Sequence, residues 1–269
     1  MGYNDRNYAQ QGFQYGQAPQ GYSQPQGYAP QYGDGQPVDL YNSPYAGDLG
    51  DAAVLAFTKR VYAYFSAALA TATVACLGGM YTVNSLMAAG QKGMVTTLAI
   101  GSLIGFFVSY LIVVFMRKNH SPLKVALLFV FASCAGFMTT PLVGAFVNAG
   151  MGMTVVAAFG ITAVTFFGLT VYTLTTGRDF RNLGGMLMIG LLVLIGVAVM
   201  SMFMPATSGL HTLVVIGGIV IFIGFILFDT SMVTRNYFHS NDAVGAAIQL
   251  FYDFFALFRY ILLLLGDRR

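Results

Sequence analysis

The chain has 269 residues, 57% of them hydrophobic and 9% charged, with a net charge of +3 and a mean hydropathy of +0.68. Soluble domains carry roughly 25% charged residues, so the composition excludes an ordinary soluble fold and points to an integral membrane protein. The small, scattered positive charge argues against a nucleic-acid binder, and the absence of Glu excludes a zinc protease of the H-E-x-x-H type.

Residues 1 to about 50 differ from the rest. QQGFQYGQAPQGYSQPQGYAPQYGDG is built from Gln, Tyr, Gly and Pro without apolar periodicity. Such a segment buries too little apolar surface to offset its ordering entropy, so a disordered, solvated cytoplasmic tail is predicted. It lacks the basic start and apolar core of a secretory signal, and Arg6 stands where a myristoylation signal has Ser or Thr.

From Val61 onward long apolar runs alternate with short polar breaks. Spans are predicted near 61–82, 94–116, 123–147, 152–174, 184–204, 211–233 and 244–265, giving one transmembrane domain over 51–269. A run of about 20 residues crosses roughly 30 Å of hydrocarbon as a helix. In lipid the backbone must satisfy its own hydrogen bonds, so the fold class is an all-α bundle of seven antiparallel neighbours.

Lys59, Arg60, Arg117, Lys118, Lys124, Arg178, Arg181 and Arg235 fall at one end of the bundle; Lys92, Arg268 and Arg269 fall at the other. The positive-inside rule then puts the N-terminus in the cytoplasm and the C-terminus outside. Gly101 and Gly105 form GxxxG in the second span, and Gly217, Gly218 and Gly224 thin one side of the sixth, so close helix packing is expected there. Pro141 removes a backbone donor from the third span and should bend it. Cys76 and Cys134 lie inside apolar runs and read as small buried residues.

Two aspartates break this pattern. Asp229 lies in GFILFDTSMV and Asp253 in LFYDFFALF, on either side of the break RNYFHSNDA. Counting from Asn241, Asp229 is 241 − 229 = 12 residues back and Asp253 is 253 − 241 = 12 residues forward. In an antiparallel hairpin equal counts mean equal depth, about 14 Å along each helix. Gln249 lies one turn before Asp253 on the same face. A charge at mid-helix costs about 2.5–3.5 kcal/mol on insertion scales, which makes the pair a functional candidate. Asp229 alone could be an interfacial residue, only six positions before Arg235; Asp253, ringed by Phe251, Tyr252, Phe254 and Phe255, could not.

Two close carboxylates in a low dielectric resist ionising together, so a shared proton is expected over part of the pH range. Without it they form a weak, exchangeable oxygen site for Ca²⁺, completed by waters and carbonyls. Arg117 ends the second span at the level of Asp229. A guanidinium there either latches the carboxylate or serves only as a topology anchor, like Lys118 beside it.

Three stretches in this order and spacing, LTVYTLTTGRDFRNLGG, GFILFDTSMV and AIQLFYDFFALFRYILLLLG, resemble the Bax inhibitor-1-like (transmembrane Bax-inhibitor-motif) family, in particular its bacterial members. The resemblance covers about residues 50–266. It implies six helices surrounding a central seventh, a paired-aspartate pH sensor at Asp229 and Asp253, and a latch at Arg117, matched by FMR. It also implies proton-sensitive Ca²⁺ leak, with cell-death suppression or modulation of a membrane protease in some members. Family members often carry an arginine where this chain has Leu263; here the arginine is Arg259, one turn earlier.

Rival enzymes lack their motifs. An intramembrane aspartyl protease needs GxGD and a later PAL motif, and a rhomboid-type protease needs GxSG, although Ser102 and His211 are present. His211 starts a span and reads as interfacial; His239 lies in the break and reads as solvated. The expectation is a non-enzymatic, pH-sensitive Ca²⁺ leak channel of the bacterial inner membrane, gated by Asp229 and Asp253, with Ca²⁺ and protons as its traffic and no resident cofactor. The alternative is a non-transporting regulator that binds a membrane protease or a cell-death or stress protein.

Overall fold

A computed structural model describes residues 46–116, 122–176, 178–201, 208–234 and 242–267, with side chains from residue 53 onward except at 208. Among the described residues there are seven α-helices and no strand: α1 (Ala46–Ala88), α2 (Lys92–Phe115), α3 (Pro122–Asn148), α4 (Gly152–Thr176), α5 (Gly184–Ser201), α6 (Ser208–Thr234) and α7 (Ala243–Asp267). A short 3-10 turn, Arg181–Leu183, leads into α5. All seven helices are long and apolar enough to cross a membrane.

Helix α1 begins at Ala46, inside the stretch read as tail and well before the span expected from Val61. GDLGDAAVLAFTKR carries good helix formers and no proline, so the helix continues past its apolar part. Its inner stripe is Phe57, Val61, Phe65, Ala68 and Ala72, spaced three or four apart and all buried, while Lys59 and Arg60 face outward. Earlier residues of the tail lie outside the described residues.

Helix α7 is the most buried, with 56% of its apolar window inside the protein against 11% for α5. It packs against α6, α1, α4 and α3. By contrast α5 buries only Leu187 and Leu194, two turns apart, and presents Met186, Ile189, Leu192 and Val193 outward. Broad exposed apolar faces on α2, α4 and α5 are what a bundle surrounded by hydrocarbon requires.

Small residues set the close crossings, though not all those expected. A methyl group at Gly105 would fall 2.8 Å from the Cys134 sulfur, but Gly101 faces open space. Gly218 makes room for the Tyr260 ring, and Gly224 receives Leu187 of α5. The tightest approach is elsewhere: Gly136 of α3 lies against the Ala72 carbonyl of α1, where any Cβ would overlap backbone. Helix α3 runs through Pro141, and Thr140 Oγ1 beside it donates to the Cys76 carbonyl at 3.4 Å. Both cysteines are free thiols.

Candidate functional site

Helices α6 and α7 form an antiparallel pair, and equal counts from the turn bring Asp229 and Asp253 to one level. Their carboxyl groups meet within hydrogen-bonding reach. Both are buried, Asp229 at 7% and Asp253 at 3% exposure. Asp253 Oδ2 has no hydrogen-bond partner among the described residues, an unusual condition for a buried carboxyl oxygen.

The rotation that aims Asp253 at α6 is fixed by its neighbours on α7. Phe254 packs edge-on against Phe65 of α1 and Phe166 of α4, with ring centroids 5.9 and 5.6 Å away. Phe65 and Phe166 in turn stack on each other at 4.8 Å. On another side Phe251 meets Phe131 of α3 at 5.6 Å, and Phe131 stacks on Phe106 of α2 at 4.5 Å. Turning α7 would break two aromatic clusters together, each contact worth about 0.5–1.5 kcal/mol beyond its buried area.

A shell of uncharged polar groups surrounds the pair. Thr230 and Ser231, next to Asp229, are wholly buried. Ser231 Oγ accepts the Phe180 N–H at 3.3 Å, tying the α4–α5 connection to α6. The Tyr62 hydroxyl donates to Thr170 Oγ1 at 3.5 Å and stands beside Thr230. Sequence reasoning built on charge missed these groups. One signal was available: Thr154, Thr162 and Thr170 recur every eight residues, on the buried face of α4. No third His, Cys, Asp or Glu joins the dyad among the described residues, so a cation there would depend on hydroxyls, carbonyls and water.

Arg117, the expected latch, lies outside the described residues, as do Lys118, Arg235 and His239. Lys124, counted as a basic residue of a break, is instead buried in the first turn of α3. Its ammonium pairs with Asp242 Oδ2 at 3.1 Å, the side chains being 4% and 6% exposed. Asp242 caps α7, its Oδ1 accepting the Gly245 N–H at 3.0 Å and its carbonyl the Ala246 N–H at 3.1 Å. The basic excess at this end of the bundle keeps its sign without Lys124. Arg259 lies over the Phe255 ring, 5.9 Å from its centroid, a cation–π contact that accounts for its place on α7.

Ser102 and His211, the residues weighed for a rhomboid-type protease, have separate surroundings. The Ser102 hydroxyl donates to its own helix, at the Ala99 carbonyl, 2.8 Å away. His211 is exposed and lines a different cavity, of about 320 Å³, with Phe146, Met151 and Asp267.

Residues 54–269 match the family profile described as inhibitor of apoptosis-promoting Bax1. A Helicobacter pylori protein is 29% identical over 229 residues, covering 82% of this chain and 92% of its own. The Escherichia coli K12 protein named modulator of FtsH protease YccA is 28% identical over 187 residues, 69% of this chain and 80% of its own. Its counterpart in Escherichia coli O6:H1, called inner membrane protein YccA, matches equally. With the profile spanning every transmembrane helix, the chain belongs to the Bax inhibitor-1 family of membrane proteins.

Proposed function

We propose that the protein is a pH-sensitive leak path for Ca²⁺ in a bacterial inner membrane, with its N-terminus cytoplasmic, switched by Asp229 and Asp253. The observation that carries this reading is the meeting of two buried carboxyls, one with an oxygen unpartnered among the described residues. Two carboxylates so placed need a proton or a cation between them. Proton occupancy removes the cation site, and proton release restores it, so flux responds to pH through the pair. Arg117 enters from its sequence position alone, as a guanidinium able to hold Asp229 and close the path.

The test is Ca²⁺ flux into liposomes carrying the purified protein, from mildly acidic to mildly alkaline pH. Flux that varies with pH and rises in Arg117→Ala but not in Lys118→Ala supports the reading. Absence of flux at every pH overturns it.

A second reading has its own observation, the name of the Escherichia coli relative as a modulator of FtsH protease. In that case the seven-helix domain binds a membrane protease and alters its action without carrying ions. Adding the protein to liposomes with an FtsH-type protease and a membrane substrate should then change the degradation rate, with no Ca²⁺ flux.

A further inference from the structure

We infer that Lys124 and Asp242 form a second closure of the same path, in which the Lys124 ammonium occupies the position that a passing cation takes at Asp242. This rests on the proposed leak function and adds to it a binding position for divalent cations at the basic end of the bundle.

The placement comes from α7. Asp242, Gln249 and Asp253 are separated by seven and four residues, which puts them on one face of the helix. That face carries Asp253 of the dyad, Gln249 one turn before it and Asp242 at the helix start. Along it α2 and α7 leave a narrow crevice, lined by Tyr110, Val113 and Val114 on one side and Asp242, Gly245 and Gln249 on the other. Its free volume is about 20 Å³, close to that of one water molecule. A cation leaving the dyad toward this end meets Gln249 and then Asp242.

At Asp242 the way is blocked by a tethered charge. Lys124 reaches across from α3 and holds Oδ2 at 3.1 Å, almost fully buried. The helix N-terminus favours the Asp242 charge by less than burial of that charge costs, and Lys124 supplies the balance. Burying an ammonium there is costly. Its presence neutralises the one carboxylate that could receive a cation in the crevice and repels any cation that enters. Removing Lys124 leaves Asp242 as an oxygen site for a hard divalent ion, with the Gln249 carbonyl oxygen and water as further ligands.

The experiment uses full-length protein in liposomes. Lys124→Met is expected to raise Ca²⁺ flux about tenfold at a pH where the parent is nearly closed, equivalent to removing roughly 1.4 kcal/mol of barrier. Because that variant leaves Asp242 unpaired, Lys124→Met with Asp242→Asn is made as well, with no buried charge left over. The double variant should conduct more than the parent but less than Lys124→Met, since the blocking ammonium and the receiving carboxylate are both gone. A second readout does not depend on flux. Gln249→Cys, in protein with Cys76→Ala and Cys134→Ala, should react slowly with a small, positively charged thiol reagent and about tenfold faster once Lys124 is removed.

A folded double variant with parental flux and parental labelling overturns the inference, leaving the pair as a staple between α3 and α7. Faster labelling with no Ca²⁺ flux in any protein supports the closure of the crevice and overturns the leak function. Parental labelling in a conducting protein overturns the closure and leaves the dyad reading intact.

Discussion

Asp253 carries the largest consequence of any single side chain, because it is almost wholly buried and one of its oxygens is unpartnered among the described residues. Asp229→Asn and Asp253→Asn should each flatten the pH dependence of flux. The double substitution should add little, because the protonation belongs to the pair; a double-mutant cycle on the flux–pH profile measures that coupling. Additive effects would separate the two carboxyls. Gly136 is the structural counterpart. A Cβ there overlaps the Ala72 carbonyl, and backbone cannot swing aside as a side chain can. Gly136→Val should cost about 1–3 kcal/mol by overpacking, read as lower thermal stability in detergent. Gly101→Val should cost far less, because that glycine faces open space. The common depth of Asp229 and Asp253 was legible from counting, since residue number along a helix is depth; the rotation that turns them together was not. Gly136 was not: GxxxG spacing points to glycines, but only the crossing of α1 and α3 shows which glycine touches backbone.

Elements behave according to which face they bury. Helix α7 holds its orientation through Phe251 and Phe254, which lock into rings from different helices. Phe254→Ala should therefore cost about 3–5 kcal/mol. It should also blunt the pH response, because α7 loses the contact that aims Asp253; thermal unfolding and flux measured on the same preparation check both outcomes. Phe255→Ala is the control, being only partly buried and in contact with Arg259 and Phe251. The helices and their order were readable from apolar run length. The start of α1 was not, because a helix may continue after its lipid-facing part ends, and hydropathy does not register the extension. The burial of Lys124 was not legible for a related reason. The positive-inside count registers only the end of the bundle at which a lysine lies, and nothing in PLKVALL says that its side chain turns inward to Asp242.

For the whole molecule, the order of synthesis bears on how the bundle assembles. The helix with the largest buried share is the last one, α7. A ribosome releases about 5–20 residues per second, so the earlier spans enter the membrane before their common partner exists. Until α7 arrives, Phe65 and Phe166 lack Phe254, Phe131 lacks Phe251, and Asp229 lacks its mate. Helices can insert singly and associate later, so this precursor is stable in the bilayer yet not compact. A chain ending at residue 241 should reach the membrane in normal amount but be cut quickly by added protease, whereas the full chain resists; equal resistance would show that the first six helices fold unaided. Biosynthesis thus leaves a waiting period in which a six-helix precursor carries an unmatched carboxyl in lipid, and in which membrane quality control has a defined feature to recognise.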